Sequence, residues 1–279
     1  MSAFNNLIGQ PTLKKKLNFY LEAAEHSNHS PFLCLVGAKG LGKTEFAKEF
    51  ARELKKIKKD TVVFFDEAHN LPKDLEQSFL TIFNSDQVSL KEFRWDNGVY
   101  PFDFTRQTFI FATTESDRIF PPLKDRFTMV DFEPYSPSEL GEILKSRAKE
   151  IKFSDQAMIR LQDVIRNNAR SAVMRAKEIQ LYCESRNKTT FTEEDFEELC
   201  DHLGILAKGI SSTEKQILEI LSELGQCSLT MLAARTGLSP SAVRKHHETY
   251  LLRRGLMQID GKRKLTQNGK ELIHEIHRN

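Results

Sequence analysis

Lys43, Thr44, Asp66 and Glu67 are residue types that could together bind and cleave a phosphoanhydride. The octapeptide Gly37-Ala38-Lys39-Gly40-Leu41-Gly42-Lys43-Thr44 fits the phosphate-loop pattern GxxxxGK[ST] in full. It follows the short apolar run PFLCLVG and opens a helical pattern, which is the setting such a loop requires. Gly37, Gly40 and Gly42 let backbone amides turn toward phosphates, and a helix N-terminus adds partial positive charge. In this reading Lys43 reaches the β- and γ-phosphates of ATP and Thr44 holds Mg²⁺. The strand VVFFDE supplies the partners. Asp66 would join the Mg²⁺ shell, and Glu67 could polarise the attacking water. Acids at a strand end are often mere solvated loop charges; the loop gives these two a purpose.

Two further groups fall at positions where a γ-phosphate could be sensed. TFIFATTE reads as a buried strand ending in Thr113 and Thr114. Either hydroxyl could report on the nucleotide, although threonine is also simply common in strands. Arg126 follows in PPLKDRF. An exposed arginine is usually a solvated side chain, but in a ring-forming ATPase it can stabilise the transferring phosphoryl in the neighbouring subunit's site.

The elements that must position these groups are legible from periodicity. Pro11 to Glu25 has helical spacing, with Leu13, Leu17, Tyr20 and Leu21 on one face. PFLCLVG, TVVFFDE and TFIFATT are short apolar runs that read as buried strands, and helices fall between them, at Thr44 to about Lys56 and in LPKDLEQSFLTIFN. That alternation argues an α/β fold with a parallel sheet. Lys91 to Phe104 alternates around Asn97-Gly98, a two-residue hairpin signal. After Tyr135 the pattern changes to consecutive helices with Ser or Thr at their starts, a small helical unit.

At 279 residues, 39% hydrophobic and 29% charged, the chain can bury two or three domain cores. Cys34, Cys183, Cys200 and Cys227 show no metal-ligand spacing, which disfavours a zinc site or a disulfide framework and suits buried thiols in the cytoplasm. No apolar run approaches the ~20 residues of a membrane span, and MSAFNNLIGQ does not read as a signal peptide. From Lys208 onward the sequence reads helix, helix, helix and two short strands around Asp260-Gly261, the order of a winged helix. Twelve Lys/Arg against seven Asp/Glu give that segment a net charge of +5. Arg244 and Lys245 on its third helix, with Lys262, Arg263 and Lys264 at the wing, could neutralise DNA phosphates with little sequence reading. A solvated face or a protein-binding winged helix would carry the same charges.

The order of LIGQPTLKKKLNFYLEAAE, GAKGLGKTEFA, FFDEAHNL, FIFATTESDRIFPPLKDRFTMV and YSPSELGEIL resembles the RuvB family, the Holliday-junction branch-migration ATPases of the AAA+ class. The resemblance implies an AAA+ P-loop core at residues 1–134, a helical lid at 135–207 and a winged helix at 208–279. It implies an ATP-hydrolysing DNA motor assembled as a ring, a hexamer by the family's habit, acting on branched or duplex DNA. It places Ile8 at the adenine, Thr114 before Thr113 as first sensor, and Arg126 as the arginine finger. The family's second sensor is an arginine starting a lid helix within a Gly-Thr-Pro-Arg motif. This chain reads ARSAVMRAK, from which Arg175 is taken as the match and Arg170 as the runner-up. The hairpin at 91–104, rich in aromatics, corresponds to the element that docks a RuvA-like partner. The tetrad Asp66-Glu67-Ala68-His69 spells DEAH, which nothing else here ties to the helicases of that name.

One feature departs from the family. Its members carry a further strand and helix between the phosphate-loop helix and the acid strand, near the DNA-contacting pore. Here Lys43 and Asp66 are 23 positions apart, and the turn KKIKKD leaves no room for either element. The gap is either a true deletion or a stretch of natural chain lacking from this sequence. A deletion at the sheet's edge would spare the ATP site and remove a DNA-gripping element. Three functions therefore stay in view: a branch-migration motor, a clamp-loader-like AAA+ switch that does not translocate, and a non-hydrolysing adaptor that the intact catalytic set argues against.

Overall fold

The computed structural model describes residues 3–26, 32–57, 61–83, 90–95, 98–104 and 107–278. Tertiary contacts divide the chain into two units, 1–143 with 167–174, and 144–166 with 175–279.

The first unit is an α/β layer structure. Its elements are α1 (Pro11–His26), β1 (Leu33–Val36), α2 (Lys43–Ile57), β2 (Thr61–Phe65), α3 (Lys73–Ile82), β3 (Leu90–Trp95), β4 (Gly98–Asp103), β5 (Gln107–Thr113), α4 (Pro121–Lys124) and β6 (Thr128–Asp131). Strands β2, β5, β1 and β6 form one parallel sheet in that order. Because residues alternate faces along a strand, Cys34, Phe109 and Phe111 point to one side. There they meet Phe79 of α3, Phe83 just after it, Leu123 of α4 and Phe127. The rings of Phe79 and Phe111 cross edge-to-face at 5.3 Å, a preferred aromatic geometry. α1 buries Leu13, Leu17 and Leu21, as its spacing predicts.

β2 is an edge strand, paired to β5 alone. Its Val62 to Phe65 stay half-exposed while β5 is almost wholly buried. Only residues 58–60 separate α2 from β2, and no strand lies beyond β2 among the described residues. Among the described residues, neither the family's further strand nor its helix appears where the sequence places the gap. β3 and β4 form the anticipated hairpin, with Trp95 opposite Gly98. Asn97 of its turn lies outside the described residues.

α5 (Pro137–Arg147) follows β6. The second unit adds β7 (Lys152–Phe153), α6 (Asp155–Val164), β8 (Thr190–Phe191) and α8 (Glu193–Leu203), and α7 (Ala169–Ser185) belongs to the first unit up to Met174 and to the second from Arg175. The expected caps are in place: Ser154 accepts from the Ala157 amide, and Thr192 makes a reciprocal box with Asp195. The parallel pair β7–β8 is an addition, too short to announce itself in the sequence.

The winged helix comprises α9 (Ser212–Leu224), β9 (Gln226–Cys227), α10 (Leu229–Thr236), α11 (Pro240–Ala242), a π-helical turn Val243–Glu248, α12 (Thr249–Arg253), β10 (Met257–Asp260), β11 (Lys262–Leu265) and α13 (Gln267–Ile276). β10, β11 and β9 make an antiparallel sheet over a core of Ile217, Leu221, Leu232, Leu251, Leu256 and Leu272.

All four cysteines are free thiols; Cys34, Cys183 and Cys227 are buried. Burial above all, then the Asp131 carboxylate, pushes the Cys34 thiol up to about 12. No helix among the described residues is long and apolar enough to cross a membrane.

Candidate active site and nucleic-acid interface

The phosphate loop joins the C-terminal end of β1 to the first turn of α2. The glycines at 40 and 42 sit at φ +83 and +94, a region that residues with a Cβ rarely enter. At Gly37 a Cβ would stand 2.7 Å from Phe132 Cβ, and at Gly40 it would stand 2.8 Å from Asn168 Oδ1. Lys43 is buried, and its ammonium donates to the carbonyls of Gly37 at 2.7 Å and Ala38 at 3.2 Å. Burial lowers its pKa, Glu67 and Asp66 oppose that, and the Arg170 charge adds to the lowering. A cation held this way, inside a loop of glycine backbone, fits a polyphosphate.

The acids stand at the C-terminal end of β2. Thr44 Oγ1 lies 3.4 Å from Asp66 Oδ2, and Asp66 Oδ1 accepts the Glu67 amide at 2.9 Å. One carboxylate beside one hydroxyl suits Mg²⁺, which is held by few protein oxygens and completes its shell with phosphates and water. Glu67 itself is left-handed, at φ 51 and ψ 48. Its carboxylate accepts from the Thr114 hydroxyl at 3.4 Å. Thr113 is fully buried and already engaged by His69 and the Glu115 amide, both at 3.0 Å. The geometry therefore separates the two threonines, leaving Thr114 the hydroxyl that meets Glu67.

The N-terminal segment is pinned to this site. Gly9 and Gln10 both have positive φ, and the buried Gln10 side chain spans the backbone of Glu133, donating at 2.7 Å and accepting at 2.9 Å. The Tyr135 hydroxyl donates to the Leu41 carbonyl of the phosphate loop at 3.0 Å. Burial raises that phenol to about 12, so it stays a donor. Ile8, half-buried, rides on this segment. Gln10 and Tyr135 fall within the quoted LIGQ and YSPSEL stretches, but their residue types alone gave neither a role at the site. Arg126, just after α4, is exposed, with Nη1 donating to the Pro122 carbonyl at 2.7 Å.

The choice between the lid arginines needs correction. Arg170 is the second residue of α7, and its amide donates to the Gly40 carbonyl at 3.2 Å. Arg175 lies in the second unit and is ion-paired to Glu178 at 2.6 Å. The arginine that starts the lid helix beside the phosphate loop is Arg170.

In the winged helix, Arg244 and Lys245 are exposed on the π-helical turn, and Lys262 is exposed on the wing. Lys264 reaches Asp260 at 3.1 Å. Arg263 is a second correction. Its guanidinium is nearly buried and grips the buried Glu248 at 2.6 Å, so it braces the wing against the third helix and is not among the outward charges.

Fold and site together are those of a P-loop nucleotide-binding core followed by a helical unit and a C-terminal winged helix. Residues 207–274 match the RuvB C-terminal winged helix domain. The chain is 29% identical to the Holliday junction branch migration complex subunit RuvB of Kosmotoga olearia, over 90% of this chain and 82% of that one. It is 27% identical to its counterpart in Pseudothermotoga lettingae over the same shares. A structure of a Thermotoga maritima RuvB variant superposes with a TM-score of 0.77 at 24% identity, covering 98% of both chains. The chain is RuvB-like along nearly its whole length. The Kosmotoga alignment runs to 287 positions while covering only 90% of these 279 residues, so that relative carries residues with no counterpart here.

Proposed function

We propose that this chain is a RuvB-like motor ATPase whose copies form a ring, a hexamer by analogy, and couple ATP hydrolysis to branch migration of Holliday junctions in recombination and repair. The observation that carries the reading is the convergence of Lys43, Thr44, Asp66, Glu67 and Thr114 on one loop in a chain similar, over 90% of its length, to branch-migration subunits. The division into residues 1–134, 135–207 and 208–279 serves the same reading: core, lid and winged helix.

Bound Mg²⁺ would neutralise developing charge on the transferring phosphoryl group. The protein's own contributions are these. The loop amides and Lys43 hold the phosphates. Thr44 and Asp66 supply oxygens for the metal. Ile8 packs on the base, and Arg170 reports the nucleotide to the lid. Glu67 orients the water, Thr114 steadies Glu67, and Arg126 of one subunit reaches the transferring phosphoryl of the next. Arg244, Lys245, Lys262 and Lys264 meet the DNA backbone. The exposed Tyr100 and Phe102 of the 91–104 hairpin offer anchors for a RuvA-like protein.

A second reading, an AAA+ switch that binds DNA without translocating, is favoured by one observation: β2 is the sheet edge, so the element expected nearest the pore is missing. One experiment decides between them. ATP turnover is measured with and without a four-way junction, alongside oligomer mass in ATP and junction-dissociation activity. A ring stimulated by junctions and able to move them supports the motor. Turnover without strand movement supports the switch.

A further inference from the structure

His69 is an ionisable side chain with no part in the reading above, and it is nine-tenths buried at 6% exposure. It sits in the turn Ala68–Asn70 directly after Glu67. Its Nδ1 lies 3.0 Å from Thr113 Oγ1 and 3.5 Å from Glu67 Oε2, and its Nε2 lies 3.9 Å from Glu115 Oε1. The Thr113 hydroxyl already accepts the Glu115 amide at 3.0 Å. It still has its own proton to give and a second lone pair to accept with, so it can pair with Nδ1 in either tautomer of the ring. The Nδ1 contact links the turn after β2 to the last residue of β5, and the Glu67 and Glu115 carboxylates flank the ring beyond it.

We propose that His69 is a positioning residue for Glu67, tying the end of β2 to the end of β5 so that the acid keeps one orientation toward the attacking water. The proposal rests on the reading of Glu67 as the water-activating group. Glu67 needs such a brace. Its side chain is 46% exposed, its backbone is left-handed, and its Thr114 contact at 3.4 Å is long. An unbraced carboxylate samples several rotamers, and misplacement by about 1 Å can cost on the order of 100-fold in rate.

The test is ATP binding and turnover in the full chain for four variants. His69→Leu fills the space without hydrogen bonding, His69→Asn retains a polar pair, Thr113→Val removes the ring's partner at constant volume, and Glu67→Gln is the control. The expected result for His69→Leu and Thr113→Val is a fall in kcat of about 10- to 100-fold with ATP affinity held within about twofold, and substantial recovery of kcat in His69→Asn. Wild-type kcat in His69→Leu overturns the proposal, as does joint loss of affinity and rate with no rescue by asparagine. If His69→Leu does not fold, Thr113→Val decides, and wild-type kcat there overturns it. A Glu67→Gln protein that turns over normally removes the reading of Glu67 and this proposal with it. An inactive Glu67→Gln beside a fully active His69→Leu removes only the role of His69.

Discussion

The Lys43 ammonium rests on two loop carbonyls, and Glu67 and Asp66 offset only part of the lowering that burial imposes on its pKa. A buried cation in that position gains most from a phosphate, so Lys43→Ala should abolish tight ATP binding with little change in melting temperature; isothermal titration with a non-hydrolysable analogue measures it. Glu67→Gln should bind ATP normally and retain it, which a filter-retention assay would register. Arg263 and Glu248 pose a different question. Removing one partner of a buried ion pair strands the other, at a cost of about 3–5 kcal/mol. Arg263→Ala should therefore lower the denaturation midpoint of the winged helix, whereas Lys262→Ala should leave stability alone and flatten the salt dependence of DNA binding. The inward turn of Arg263 was legible in principle. Side chains alternate along β11, so Lys262 and Lys264 share one face and Arg263 takes the other. Reading the three as one charge cluster ignored that period. Arg170 was misjudged for another reason. Without the family's Gly-Thr-Pro-Arg spelling, the readable signal was the helix start itself, where Asn168 Oδ1 accepts the Ser171 amide at 2.9 Å.

At the scale of elements, periodicity and caps located β1, β2, β5 and the longer helices, most of them amphipathic or wholly apolar runs, but not β6, α4 or α13. What escaped was set by distant packing. The two-residue strands β7 and β8 exist only because their segments meet, and β9 joins the wing by pairing with Lys264 and Arg263. Close approach of this kind makes its own demands. A Cβ on Gly269 would lie 2.0 Å from the Leu256 carbonyl, so α13 docks on the wing only through a bare backbone. Gly269→Ala should destabilise the winged helix by about 1–3 kcal/mol despite alanine's better helix propensity; urea unfolding measures it, and a stabilised variant would contradict this packing.

For the molecule as a whole, the helical and winged parts of the second unit are locked to each other. Arg166 bonds both carboxylate oxygens of the fully buried Glu214 and stacks on Tyr250 at 4.1 Å. Arg254 reaches Asp163, and the Tyr250 hydroxyl donates to the Lys208 carbonyl at 2.5 Å. A lid movement would carry the winged helix with it. If Arg126 acts across a subunit boundary, mixing Arg126→Ala and Lys43→Ala proteins should restore part of the turnover that each lacks alone. No recovery in the mixture would argue that each chain works by itself.

The distribution of thiols gives this chain a built-in clock for opening. Cys34 lies at the centre of the first unit's sheet with its thiol held protonated, and Cys227 is buried beneath the wing. A thiolate is the reactive form, so neither can be modified until its own surroundings come apart. The rate at which a thiol reagent labels each site therefore measures the local unfolding free energy of the ATPase sheet and of the winged helix separately, in one untagged protein. If ATP binds where the loop places it, nucleotide should slow the labelling of Cys34.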